Sequence, residues 1–185
     1  MLLPNSASLA RRHSIPNTPD GIAAAPKGDQ DLPFWDLADL YPSTDGPELK
    51  KDLEAMDAAA KAFHEQYKGR IDKLTGAELA EAIREYERID EVLSRIMSFA
   101  HLTYAGDMSD PEIGRFFSSM QDRITKISTP LLFFTLEINK ISDDSMGKKL
   151  ADADLKAYES WLRDVRVFRP LQLDDELERL LHERH

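Results

Sequence analysis

The chain has 185 residues, 42% of them hydrophobic and 31% charged, enough to bury a sizeable core in one domain plus tails. A formal net charge of −10 excludes a nucleic-acid backbone or an anionic membrane surface as an expected partner, because such affinity rests on Lys and Arg neutralising phosphates. There is no cysteine, which excludes disulfides, thiolate catalysis and a cysteine zinc site, and no run approaches the ~18 apolar residues of a membrane-spanning helix.

Residues 1–30 hold Pro4, Pro16, Pro19 and Pro26, many small polar residues and no acid before Asp20, the composition of a disordered tail. Arg11-Arg12 precedes an apolar run of only residues 22–25, shorter than the ~7 residues of a signal core, so a cytoplasmic location is expected. Residues 31–45 contain Leu32-Pro33-Phe34-Trp35-Asp36-Leu37-Ala38-Asp39-Leu40-Tyr41-Pro42-Ser43, rich in large apolar groups yet bracketed by prolines. That pattern predicts an ordered strap laid across a bundle.

From residue 46 onward apolar positions recur at helical spacing. A first helix is predicted over 46–68, with a stripe of Leu49, Leu53, Met56, Ala60, Phe63 and Tyr67, closed by Gly69. A second is predicted over 76–105: Thr75 and Glu78 form a capping box, and Leu79, Ile83, Tyr86, Leu93, Ile96 and Ala100 face one way, with Ile89 covering the interruption at Asp90. The third, over 110–140, is the organising element. Ser109-Asp110-Pro111-Glu112 gives it a cap, a first-turn proline and a second capping box, and its stripe runs in steps of four and three from Ile113 to Ile138. Pro130 deletes a helical hydrogen bond and crowds the carbonyl of Lys126, so a kink or break is expected there.

Just beyond it Leu131, Leu132, Phe133 and Phe134 are consecutive and point apolar groups in every direction. At least one or two of them are expected to look away from the local bundle, unless the strap or a later helix covers them. A short helix follows Ser142, and Asp152 is placed to cap a fourth long helix through Leu155, Tyr158, Trp161 or Leu162, Val165 and Phe168, ended by Arg169-Pro170. Leu173 begins a last helix whose first turn holds Asp174, Asp175 and Glu176, and no stop signal follows before His185, the pattern expected of a fragment. Short links favour antiparallel neighbours, so the predicted fold is all-α: an elongated bundle of long antiparallel helices with a disordered N-terminal tail, its helical domain spanning 46–185.

Chemistry-bearing patterns are sparse. A zinc peptidase helix needs His-Glu-x-x-His, which aims two imidazoles at one metal and leaves the glutamate to activate its water. His64-Glu65-Gln66-Tyr67-Lys68 puts Lys at the second ligand, and His182-Glu183-Arg184-His185 spaces its histidines by three; both read as surface charge clusters. His101 reads as a hydrogen-bonded histidine of the bundle. No histidine has Glu three residues before it, which rules out a di-iron carboxylate site, and no nucleophile motif or phosphate loop occurs. No catalytic, cofactor-binding or metal residue is therefore assigned.

Four stretches do carry a resemblance, in order: Trp35-Asp36-Leu37-Ala38-Asp39-Leu40-Tyr41, Met97-Ser98-Phe99-Ala100-His101-Leu102-Thr103-Tyr104, Ile127-Ser128-Thr129-Pro130-Leu131-Leu132-Phe133-Phe134, and Phe168-Arg169-Pro170. Together they are similar to the N-terminal region of oligoendopeptidase F, a zinc metallopeptidase family related to thimet oligopeptidase. Leu171 and Leu177 stand where that pattern has polar residues. The resemblance implies a zinc-dependent endopeptidase of short peptides, in which a helical N-terminal domain walls off a deep cleft. Zinc and catalysis then belong to a downstream catalytic domain, which is the implied partner together with the oligopeptide substrate. This chain lacks the His-Glu-x-x-His site and by itself is expected to bind no zinc and to be inactive. The alternative reading is a free-standing helical interaction module. Residues 131–134 are the stretch expected to dock on the catalytic portion.

Overall fold

The computed structural model describes residues 35–184; the tail expected over 1–30, and the first residues of the strap, lie outside the described residues. Among the described residues there are eight α-helices and no strand. The first is α1 (Pro47–Tyr67), and α2 (Gly76–Gly106) spans ~46 Å at about 1.5 Å per residue. Then come α3 (Pro111–Ser128), α4 (Leu132–Lys140), α5 (Asp143–Lys149), α6 (Ala153–Lys156), α7 (Glu159–Val167) and α8 (Asp175–Arg184).

Helices α1 and α2 run antiparallel. Asp52, early in α1, accepts from Arg95, late in α2, at 2.9 Å, while Phe63, late in α1, meets Tyr86, early in α2, with ring centroids 6.2 Å apart. The predicted capping box at Thr75 and Glu78 forms, each side chain satisfying the other's backbone amide. Ile89 is buried where Asp90 is exposed, as the interrupted stripe required. At the start of α3 the structure departs from expectation: Asp110 caps the amide of Glu112 at 2.7 Å, but Ser109 gives its hydroxyl to Asp107 and Glu112 pairs with Arg115, so no second capping box exists. The nearer partners won.

Pro130 breaks the third helix as predicted. Residues Thr129–Leu131 form a single 3-10 turn between α3 and α4, which removes the clash a proline would make in a continuous α-helix. The break also turns the four apolar residues inward. Phe134 is fully buried, edge-on to Phe63 at 5.1 Å and tilted against Tyr86 at 5.2 Å; Phe133 meets Phe63 at 5.8 Å and His64 at 5.4 Å. Leu131 is buried and only Leu132 is half-buried. Helix α1 therefore supplies most of the cover, with Trp161 behind Phe134, and of the outward-looking surface expected at 131–134 only the partly open Leu132 remains.

The strap is represented by Tyr41, which is buried, packs edge-on against Phe99 at 5.4 Å and donates its hydroxyl to Asp52 at 2.8 Å. The fourth long helix expected from Asp152 is instead two. Asp152 caps α6, but Tyr158 takes φ −97 and ψ 7 and its amide bonds back to Leu155 in a tight three-residue step before α7 begins. The step redirects the chain: α6 lies against α2, whereas α7 lies against α4. Continuous helix could not serve both.

Candidate functional site

The histidine clusters are not brought together. His64 is half-buried on α1 with its ring against Phe133, and Lys68 is exposed past the helix end. Tyr67 between them belongs to the core, and burial together with the charge of Glu85 pushes its phenol up to about 12. His182 spends its Nε2 on the hydroxyl of Ser128 at 2.9 Å; its neighbour His185 lies outside the described residues. His101 is exposed and lies against the ring of Phe117 at 6.0 Å without a hydrogen-bond partner among the described residues, so the bundle histidine expected there is a surface one. Among the described residues no three His, Asp or Glu side chains gather as metal ligands would.

What the structure does assemble is an apolar face near its C-terminal end. Seven of the nine large apolar side chains left exposed among the described residues fall between 167 and 181. Phe168 is 65% exposed and Leu171 75%, followed by Leu173, Leu177, Leu180 and Leu181. Beneath this face α7 is firmly placed. Leu162 is buried, and Arg166, only 12% exposed, donates to the carbonyl of Ile138 at 2.9 Å and pairs with Asp143. Arg169 reaches the same carboxylate at 3.2 Å, so the Phe168-Arg169-Pro170 motif fixes the exit from α7 while leaving the phenyl ring outside.

Helix α8 is attached by its polar side. Asp175 accepts from Lys140 at 2.7 Å and His182 bonds Ser128, whereas the leucines of α8 look outward. An amphipathic helix held this way round is inverted relative to a surface helix of a finished domain. Between α4 and α7 the face opens into a groove of about 590 Å³, whose walls include Trp161, Val165, Phe168, Leu171, Gln172 and Asn139. Asn139 is 6% exposed, and its Oδ1 has no hydrogen-bond partner among the described residues. Residue spacing puts Val165 and Phe168 on the apolar side of an expected fourth long helix ended by Arg169-Pro170; α7 stops at Val167, and Phe168, at its cap, is left exposed.

Compared with known proteins, the chain matches the family model described as Oligopeptidase F over residues 137–184, about a quarter of its length. Neither a curated protein nor a solved structure matches it. The matched stretch runs from the last turns of α4 to the end of α8 and so contains the whole apolar face. Of the four stretches that suggested the resemblance, Phe168-Arg169-Pro170 lies inside it and the other three precede it. Over residues 137–184 the chain carries the pattern of the oligopeptidase F N-terminal domain, and its resemblance to the N-terminal region of oligoendopeptidase F-like proteins is thereby supported.

Proposed function

We propose that this chain is the N-terminal helical domain of a zinc-dependent oligoendopeptidase that hydrolyses short peptides, and that it walls one side of the substrate cleft. Its immediate partner is the catalytic portion of the same protein, which carries the His-Glu-x-x-His that these 185 residues do not contain. The zinc and the water-activating glutamate belong to that portion; no residue described above is assigned to the metal. The observation that carries the reading is that one stretch lies inside the other. The stretch matching the Oligopeptidase F family contains the stretch where seven large apolar side chains remain uncovered, and a surface of that kind marks an interaction site. The face for docking is thus moved from residues 131–134, which α1 covers, to residues 167–181. No helix among the described residues is long and apolar enough to cross a membrane. The cytoplasm is the location proposed from the sequence, where the apolar run after Arg11-Arg12 is too short for a signal core.

Co-expression of this chain with the catalytic portion tests the reading. The two should purify as a complex that cleaves a quenched fluorescent oligopeptide and loses activity to a chelator, and Leu177→Asp with Leu181→Asp should prevent assembly. A catalytic portion that is fully active without this chain and does not bind it would overturn the proposal.

A further inference from the structure

A second depression, of about 340 Å³, lies on a different side of α4, between the C-terminal half of α1 and the start of α8. Its floor is apolar, with Phe133 and Leu132, and its rim is cationic. Lys61 and His64 are three residues apart on one face of α1, Lys68 follows at the cap just past its end, and Arg179 comes from α8. Of these groups Lys61 pairs with Asp57 at 2.6 Å, and burial, then the charge of Lys68, holds the His64 imidazole below its ordinary pKa. Lys68 and Arg179 form no ion pair among the described residues, in a chain whose net charge is −10. Of the two rim acids, Asp175 is held by Lys140 at 2.7 Å, which leaves Glu65 alone.

We infer that this depression binds the C-terminal carboxylate of a short peptide whose last side chain is apolar. Arg179 offers a planar fork that matches a carboxylate in two parallel hydrogen bonds, and Lys68 adds a mobile point charge. Two unpaired cations beside two rim acids suit a monoanion better than a phosphate dianion, which Glu65 and Asp175 would repel. The floor of Phe133 and Leu132 takes one large apolar side chain, and the volume leaves room for little more. Thr129 also lines the depression. Its hydroxyl proton goes to the carbonyl of Thr125 at 2.8 Å, so its oxygen keeps acceptor capacity for a peptide N–H, a contact that a simple fatty acid could not make.

The inference stands on this depression alone, and it deepens the reading above only by giving the peptide a polarity in the cleft. Calorimetric titration of the chain with N-acetyl-leucyl-phenylalanine, its C-terminal amide and hexanoate provides the test. The free acid should bind at least about tenfold more tightly than the amide, and hexanoate more weakly than the acid. Lys68→Ala with Arg179→Ala, both at exposed positions and checked for helicity by circular dichroism, should abolish the difference between acid and amide. The pair Leu177→Asp and Leu181→Asp should leave it intact, which separates failure here from failure of the docking face. Equal binding of acid and amide, a preference that survives loss of both cations, or hexanoate binding as tightly as the acid would each overturn the assignment.

Discussion

Arg166 donates to the main-chain carbonyl of Ile138 at 2.9 Å, joining the last turn of α7 to the last turn of α4 across 28 residues of sequence. The carbonyl belongs to the C-terminal end of α4, where its one backbone donor is the capping amide of Ile141 at 3.3 Å. A cation there also meets the negative end of the helix. Its guanidinium is mostly buried, while its ion-pair partner Asp143 is 87% exposed, so the carbonyl bond should matter more than the salt bridge. Arg166→Ala is expected to cost about 1.5–3 kcal/mol in urea denaturation, and Asp143→Ala less than about 1 kcal/mol. Equal costs would place the stabilisation in the ion pair instead.

The covered apolar run gives a sharper contrast. Phe134→Ala should cost about 3–5 kcal/mol, because it empties a site closed by Phe63, Tyr86 and Trp161. Leu132→Ala, at the half-buried member of the run, should fall below the ~2–5 kcal/mol typical of a buried leucine. If Leu132 proved the costlier of the two, the inward turn made by the 3-10 segment would be wrong.

Two glycines should respond in opposite directions to the same methyl group. At Gly76 a Cβ would lie 2.5 Å from both the carbonyl oxygen of Lys149 and the Cβ of Asp152, so Gly76→Ala must push α2 off the link between α5 and α6 and should cost about 1–3 kcal/mol. At Gly114 in α3 a Cβ meets nothing within 4 Å, and alanine there should stabilise by about 0.5–1 kcal/mol through helix propensity. Thermal unfolding of both variants decides the matter.

These cases show how much of the architecture the sequence made legible. The starts of α1, α2 and α3, the break at Pro130 and the substitution of Ile89 for Asp90 were readable, because a helical period and a cap are local properties of neighbouring residues. The division of α6 from α7 was not, since it answers to which helix each half packs on. Nor was the cover of residues 131–134 by α1, which depends on the direction the chain takes after a 3-10 turn. The apolar face at 167–181 and the cationic rim at Lys68 and Arg179 combine residues that are unremarkable singly. Only the fold puts them side by side.

Alkaline pH should destabilise the domain through Tyr67. Burial, then the negative charge of Glu85, raises its phenol to about 12 from an unfolded value near 10. A raised folded value means that the protective contribution is complete below pH ~10 and is lost as pH rises toward ~12, with a total on the order of 2 kcal/mol. Unfolding free energies measured across that range should fall more steeply for the native chain than for Tyr67→Phe, and tyrosinate absorbance should show one late-titrating phenol that the variant lacks. An unchanged slope would mean that Tyr67 reaches solvent.

The last expectation concerns α8, whose polar side faces the domain and whose leucines face away. Leu177 and Leu181 are four residues apart and share one side of the helix, and each is 45% exposed. Full burial of such a side chain contributes about 1.5–3 kcal/mol, so a partner that covers both gains appreciably while the isolated chain leaves that free energy unused. The chain alone should therefore bind a hydrophobic dye and self-associate as its concentration rises. Leu177→Asp with Leu181→Asp should suppress both effects and change the unfolding free energy by no more than ~0.5 kcal/mol for each substitution, because neither leucine packs in the core. The same change at Leu162, which is 1% exposed, should unfold the domain. A native chain that is monomeric and dye-silent at high concentration, or a double variant as unstable as Leu162→Asp, would show that α8 folds its leucines onto the domain in solution and leaves no face for a partner.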